Sequence, residues 1–241
     1  MSMTTEAFER IRDAIVSGGL EFGEPLSETQ IANALGMSKA PVRAAFIELR
    51  DKGLVTIVPQ SGTYVFSPTA DDVRTMSEFR ALLENQAVTE AYSNRREVML
   101  GRLEDAIGAM RKAITAKNWE DYRKADSSFH LAFMEECENR YLLKAYHLTS
   151  TALEALRVRL QRGVGNFREQ SFREHCDIVD FLRAGKPDAA KKLLRQHILI
   201  INESLHTLPL NTGKGSRKDK ADDRDYAAVF GKLAPHRRST R

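Results

Sequence analysis

Cysteine is scarce: Cys137 and Cys176 are the two in 241 residues. Thiols 39 positions apart make no disulfide framework of the kind a small secreted domain needs. Glycine (14) and proline (7) are too few for a collagen-like chain, and 42% hydrophobic residues exclude a chain disordered throughout. No apolar run approaches the roughly 18 residues of a membrane span, and the opening Met1-Ser2-Met3-Thr4-Thr5-Glu6 lacks the apolar core of a signal peptide. No repeat of 20–50 residues occurs. The expectation is a cytoplasmic protein with reduced thiols, no membrane partner and one or two domains.

A surplus of charge is also missing where it would matter most for a polyanion. The net charge is +4, but residues 1–70 hold 6 Lys and Arg against 8 Asp and Glu, net −2. Residues 71–208 hold 22 against 21, and residues 209–241 hold 9 against 4, net +5. The basic excess belongs to the last segment, so any claim of nucleic-acid binding rests on local placement.

What is present divides into three. Residues 5–66 read as helices followed by a hairpin. Phe8, Ile11 and Ile15 recur at helical spacing up to Gly18-Gly19. Ser27 opens a short helix, with Gln30 three positions on as in a capping box, and Gly36 ends it. Ser38 is placed to cap a second helix, with Pro41 in its first turn. Val42, Ala45, Phe46 and Leu49 form its apolar face, and Gly53 is placed to end it. Residues 54–58 and 63–66 are rich in β-formers around a Pro59-Gln60-Ser61-Gly62 turn. After a linker over 67–70, residues 71–208 read as about six helices: 71–93, 96–117, 119–137, 141–162, 167–184 and 187–208. The fold expected is all-α with a small β wing, a winged helix-turn-helix before an antiparallel bundle. Residues 209–241 lose apolar periodicity and read as a basic, disordered tail with a transient helical turn over Tyr226–Leu233, and with extra non-specific DNA attraction as the functional alternative.

In a winged helix-turn-helix the second helix sets its N-terminal residues in the major groove. Here those are Ser38, Lys39, Ala40 and Arg43. Lys39 and Arg43, four apart, share a face opposite the apolar one. Arg43 offers a bidentate fork to guanine or phosphate. Arg50 is a backbone-contact candidate, and Gln60, Ser61 and Gly62 form the wing tip. The alternative is a small helical domain with a solvated charged face. Beyond pattern, Ile15-Val16-Ser17-Gly18-Gly19-Leu20, Gly23-Glu24-Pro25-Leu26-Ser27-Glu28, Ile31-Ala32, Leu35 through Arg43, and Gly53-Leu54-Val55 resemble the GntR family of bacterial transcription regulators. Lys39 stands where that family usually has Arg, Ala40 where it has Thr, and Ala44 where Glu is common. The resemblance implies operator DNA bound by a homodimer.

Six histidines are present: His130, His147, His175, His197, His206 and His236. Asp126 and His130 form an i,i+4 pair on the third bundle helix, with His175 and His197 on the fifth and sixth. One carboxylate and three imidazoles would suit a divalent ion such as Zn, Ni, Mn or Fe. By spacing alone they read first as separately satisfied core or surface residues. However, Asp126-Ser127-Ser128-Phe129-His130, Glu174-His175 with Ile178, and Leu193 to His197 resemble the metal-binding FCD effector domain of the FadR subfamily. That resemblance implies Asp126, His130, His175 and His197 as metal ligands. Glu78-Phe79-Arg80-Ala81-Leu82-Leu83-Glu84 matches the first helix of that domain, and implies that Arg80 engages the carboxylate of a small organic acid. On spacing alone Arg80 reads as an exposed charge or a partner of Glu84. Arg157 and Arg159 are further pocket candidates.

Three functions are compatible with these residues. The first is a ligand-responsive transcription regulator, not an enzyme. The second is a metallo-enzyme with an appended nucleic-acid module, for which Glu84 or Glu135 would have to serve as base. The third is a sensor of the metal itself, which would not need Arg80.

Overall fold

The structure, a computed structural model, describes residues 2–163, 167–203 and 224–233. The N-terminal region begins with α1 (Met3–Val16), then β1 (Pro25–Leu26), α2 (Glu28–Leu35), α3 (Lys39–Asp51), β2 (Val55–Val58) and β3 (Gly62–Val65). The Ser27 hydroxyl accepts from the Gln30 N–H at 3.3 Å and starts α2. Gly36 ends it in the left-handed region, φ +66°, where a Cβ would be strained. Ser38 takes the extended N-cap conformation of α3 but makes no side-chain cap bond, contrary to expectation, so its hydroxyl stays exposed. The hairpin pairs Val58 with Gly62 and Thr56 with Tyr64. β1 pairs with β3 through Pro25–Tyr64 and completes an antiparallel sheet of order β1-β3-β2. Two residues carry no period, so β1 has no signal in the sequence.

The bundle comprises α4 (Ala70–Asn94), α5 (Arg96–Thr115), α6 (Trp119–Glu136), α7 (Arg140–Tyr146), α8 (Ser150–Gly163), α9 (Phe167–Arg183) and α10 (Pro187–Glu203). A reciprocal capping box between Thr69 and Asp72 opens α4. The single helix expected over 141–162 is two helices. Asn139 caps α7 by accepting from the N–H groups of Tyr141 and Leu142, and the chain breaks around His147–Thr149. The reason is packing: α7 lies on α4 and α6, whereas α8 turns to meet α1. One straight rod cannot serve both. Residues 204–208 of the last expected helix lie outside the described residues.

Each region has its own core. Phe129, Phe133, Met99, Leu103, Ile178 and Leu194 are buried in the bundle. Ile11, Ile15, Leu20, Ile31, Phe46 and Leu49 are buried in the winged helix. The second core also takes Ala152 and Ala155 from α8, and Tyr226 and Phe230 from a short helix, α11 (Tyr226–Gly231). The turn expected over Tyr226–Leu233 is therefore a packed helix rather than a transient one, which corrects the disordered reading for residues 224–233. Residues 224–233 pack on the winged helix because two aromatic rings four apart reach one apolar groove, and burying such rings outweighs what a polar flanking sequence suggests. The rest of that expectation, 209–223 and 234–241, lies outside the described residues.

Candidate metal centre and nucleic-acid interface

A groove-reading side chain has to face outward. Ser38, Lys39, Ala40, Arg43, Arg50, Gln60, Ser61 and Gly62 are all exposed. The apolar face of α3 (Val42, Ala45, Phe46, Leu49) turns inward, which leaves Lys39 and Arg43 outward by helical geometry. Arg43 is not idle: its Nη2 donates to Glu28 Oε2 at 2.9 Å. Arg50 Nη2 donates to Asp51 Oδ1 at 2.7 Å. At the wing tip, Gln60 takes φ +60° and the Ser61 hydroxyl lies 2.9 Å from Tyr64 Oη.

In the bundle four helices converge on one polar point in an apolar interior. α4 carries Arg80 and Glu84, one turn apart. α6 carries Asp126 and His130 at the same spacing, α9 carries His175 and α10 carries His197. All six side chains are buried. The imidazole centroids are separated by 5.3 Å (His130–His175), 5.3 Å (His130–His197) and 4.5 Å (His175–His197). One nitrogen from each ring lies within 4.8 Å of the others.

Carboxylates set the orientation of two rings. His130 Nδ1 lies 2.7 Å from Glu84 Oε2, and His197 Nδ1 lies 2.7 Å from Glu174 Oε2. A carboxylate oxygen accepts, so Nδ1 carries the proton and the Nε2 lone pair faces away from the carboxylate. This is the outer-shell pattern that fixes tautomer and ring angle in metal-ligating histidines. His130 Nε2 and both nitrogens of His175 are buried without a hydrogen-bond partner. Burial holds His130 and His175 well below the ordinary histidine pKa, with help from the Arg80 and Arg157 guanidiniums. Neutral rings with orphaned lone pairs are what a divalent cation requires, and three imidazoles suit Zn, Ni or Fe. The residues present therefore fit a metal ion.

Asp126 stands beside this triad rather than within it. Its Oδ1 is 3.8 Å from His175 Nε2, too long for a hydrogen bond, and its Oδ2 pairs with Arg157 Nη1 at 2.7 Å. Arg80 is neither exposed nor free, and the alternative pairing with Glu84 is the one found: Nε donates to Glu84 Oε1 at 2.5 Å. Its Nη2 remains buried without a partner. Glu84 thus joins the guanidinium to the His130 ring, one oxygen to each. Arg157 reaches the site from α8. Arg159 does not: its Nη1 donates to Ile15 O at 3.1 Å and its Nη2 to Leu20 O at 2.9 Å, both in the winged helix.

Glu84 and Glu174 as imidazole partners were missed by sequence reasoning. The Arg80/Glu84 spacing signalled a pair, but nothing local signalled that the second oxygen faces another helix.

A winged helix-turn-helix followed by a helical bundle with a buried polar centre defines a class: a DNA-binding module joined to a separate helical domain. Residues 3–65 match the bacterial regulatory proteins of the gntR family, and residues 75–199 match the FCD domain. The chain belongs to the GntR family of transcription regulators and carries an FCD domain. It is 29% identical over 215 residues to the HTH-type transcriptional repressor RspR of Escherichia coli K12, covering 84% of this chain and 89% of that protein. It is 29% identical over 213 residues to the HTH-type transcriptional regulator LutR of Bacillus subtilis, covering 79% and 95%. Among solved structures, a putative GntR transcriptional regulator from Rhodococcus sp. RHA1 matches with a TM-score of 0.71 and 25% identity, over 86% of this chain and 98% of that one. These relatives are regulators, which removes the metallo-enzyme alternative. Among the described residues no helix is long and apolar enough to cross a membrane.

Proposed function

We propose that the chain is a cytoplasmic, homodimeric, operator-binding regulator that senses a small organic acid at a divalent metal in its bundle. In this reading residues 5–66 read the operator, residues 67–70 link, and the bundle from residue 71 onward senses and dimerises. Ser38, Lys39, Ala40 and Arg43 face the major groove, Arg50 the backbone, and Gln60, Ser61 and Gly62 the minor groove or sugar–phosphate. Two half-sites read by two modules give the length of contact that one short recognition helix lacks.

The observation that carries the sensing half is the set of buried, unpaired nitrogens on His130, His175 and Arg80. His130, His175 and His197 would hold the ion, with Asp126 beside them as the fourth ligand. When bound, the ion supplies open positions for a carboxylate oxygen. Glu84 and Glu174 keep the imidazole protons on Nδ1, and Arg80 offers Nη2 to the acid.

α8 is suited to carry the signal, because its two arginines face opposite ways. Arg157 holds Asp126, and Arg159 holds the carbonyls of Ile15 and Leu20, its guanidinium 3.7 Å from the Phe22 ring centroid. A ligand that changes the Asp126–Arg157 pair biases where α8 sits against the winged helix.

The test is elemental analysis of protein purified without chelator or nickel resin, paired with calorimetric titration of a panel of small mono- and dicarboxylates. His175→Ala is expected to lower metal content and acid binding together. Acid binding unchanged in demonstrably metal-free protein overturns the coupled site. Arg80→Lys keeps the buried charge but loses the second arm of the fork, so it should weaken the acid response and leave metal content unchanged. A full response in that variant would favour a sensor of the metal alone.

A further inference from the structure

We propose that the Tyr226 hydroxyl is a positioning group for operator recognition: it sets the angle between the helix-turn-helix and the wing. The inference rests on operator binding as proposed above. Neither matched family region extends beyond residue 199, so Tyr226 lies outside both.

The two DNA-facing parts of the winged helix meet at the joint between β1 and α2. On one side β1 pairs with β3, Pro25 against Tyr64, and β3 is a strand of the wing hairpin. On the other side Ser27 caps α2, against which α3 packs. Only Leu26 separates Pro25 from Ser27. Tyr226 Oη accepts from Ser27 N–H and donates to Pro25 O, both at 3.2 Å. One hydroxyl therefore grips both sides of the joint, and a tilt of α2 against β1 stretches one bond or the other. In a capping box the N–H of the cap residue goes to a side chain three positions on. Here a residue 199 positions away accepts it.

The ring that carries this hydroxyl is firmly seated. Tyr226 and Phe230 are 2% and 1% exposed, inside the winged-helix core. Arg10 Nη2 donates to Phe230 O at 2.7 Å. Arg224 pairs with Glu24 at 3.0 Å and also donates to Gly19 O. Asp225 caps α11 by accepting from Ala228 N–H at 2.9 Å. Core filling does not require the hydroxyl, because Phe230, one turn on, enters the same core without one. A buried hydroxyl costs free energy unless it is hydrogen-bonded, and this one uses a donor and an acceptor at the same joint.

Selectivity is what such a joint would govern. Base-edge hydrogen bonds depend on where α3 lies in the groove. Attraction to phosphate is sequence-independent and survives a small tilt. A loosened joint should therefore weaken specific binding and spare non-specific binding.

The probes are a duplex that the full chain selects from a random-sequence pool and a scrambled duplex of equal length. Tyr226→Phe keeps the ring and every charge and removes only the hydroxyl. It should weaken binding to the selected duplex about threefold to tenfold, the scale of one hydrogen bond, with affinity for the scrambled duplex unchanged. Amide hydrogen exchange at Ser27 should speed up in the same variant. Tyr226→Ala/Phe230→Ala, which removes the seat as well, should lose more selectivity than Tyr226→Phe. Equal loss on both duplexes would mean a merely structural tyrosine and overturn the proposal, as would unchanged affinity for both. Lost selectivity with Ser27 exchange unchanged would overturn the route through the cap. If the full chain selects no duplex at all, operator binding itself fails and takes this role with it.

Discussion

Arg43 on α3 is 67% exposed and Arg80 in the bundle is 3% exposed, yet each is paired with a glutamate. Arg43 is exposed and Glu28 partly so, water reaches the pair, and the pair contributes little to folding; in the proposed reading a phosphate exchanges for the carboxylate. Arg80 and Glu84 sit where neither charge has water to fall back on, so each is the condition for the other's burial. The same residue types form a solvent-exposed pair in one region and an internal frame in the other. What differs is solvent access, and that decides whether a substitution is read out in binding or in stability.

The sharpest way to break this comparison is to delete the glutamates. Glu84→Ala strands a buried guanidinium and should cost about 3–5 kcal/mol of folding stability in denaturant titrations. Glu28→Ala should leave the unfolding curve where it was. Similar behaviour of the two variants would mean that Arg80 has access to water after all. Next in size is Arg43→Ala, expected to weaken operator binding about tenfold to a hundredfold and to relax preference at one position per half-site, with melting unchanged. Equal affinity of variant and parent for every duplex would remove Arg43 from the interface.

The pH response sharpens the contrast further. His130 and His175 are held below their ordinary pKa of 6.5, so the fold disfavours their charged forms. Their contribution to stability is fully present above about 6.5 and is lost as pH falls from there through their folded values, because the unfolded chain takes up protons first. Metal-free protein should melt progressively lower below pH 6.5, and a flat profile between 7 and 5 would contradict the burial of these rings. Metal affinity should fall over the same range. The smallest effect expected is from Glu28→Gln, which releases Arg43 and should tighten operator binding about two- to fivefold, a change on the scale of one exposed ion pair.

Much of the winged helix is legible along the chain because its signals are local. Ser27 caps three residues away, Gly36 turns in place, and the apolar face of α3 repeats within four residues. The bundle site is legible only in halves. Asp126 and His130 announce a shared face through i,i+4 spacing, and the family resemblance adds His175, His197 and Arg80. Nothing in the sequence around Glu174 or Arg157 names the ring or carboxylate each would meet.

The chain by itself determined where most of the helices start and stop and which faces are apolar, and its family resemblance grouped three histidines, an aspartate and an arginine into one expected site. The first two are properties of spacing and of single side chains. Tertiary structure alone decided that Glu84 would bridge Arg80 and His130, that Arg157 and Arg159 would point to different regions, that residues 141–162 would break to serve two neighbours, and that Tyr226 and Phe230 would complete a core some 200 positions away. Each depends on the register between elements distant in sequence. That register is set by packing of the whole interior, which no local pattern encodes.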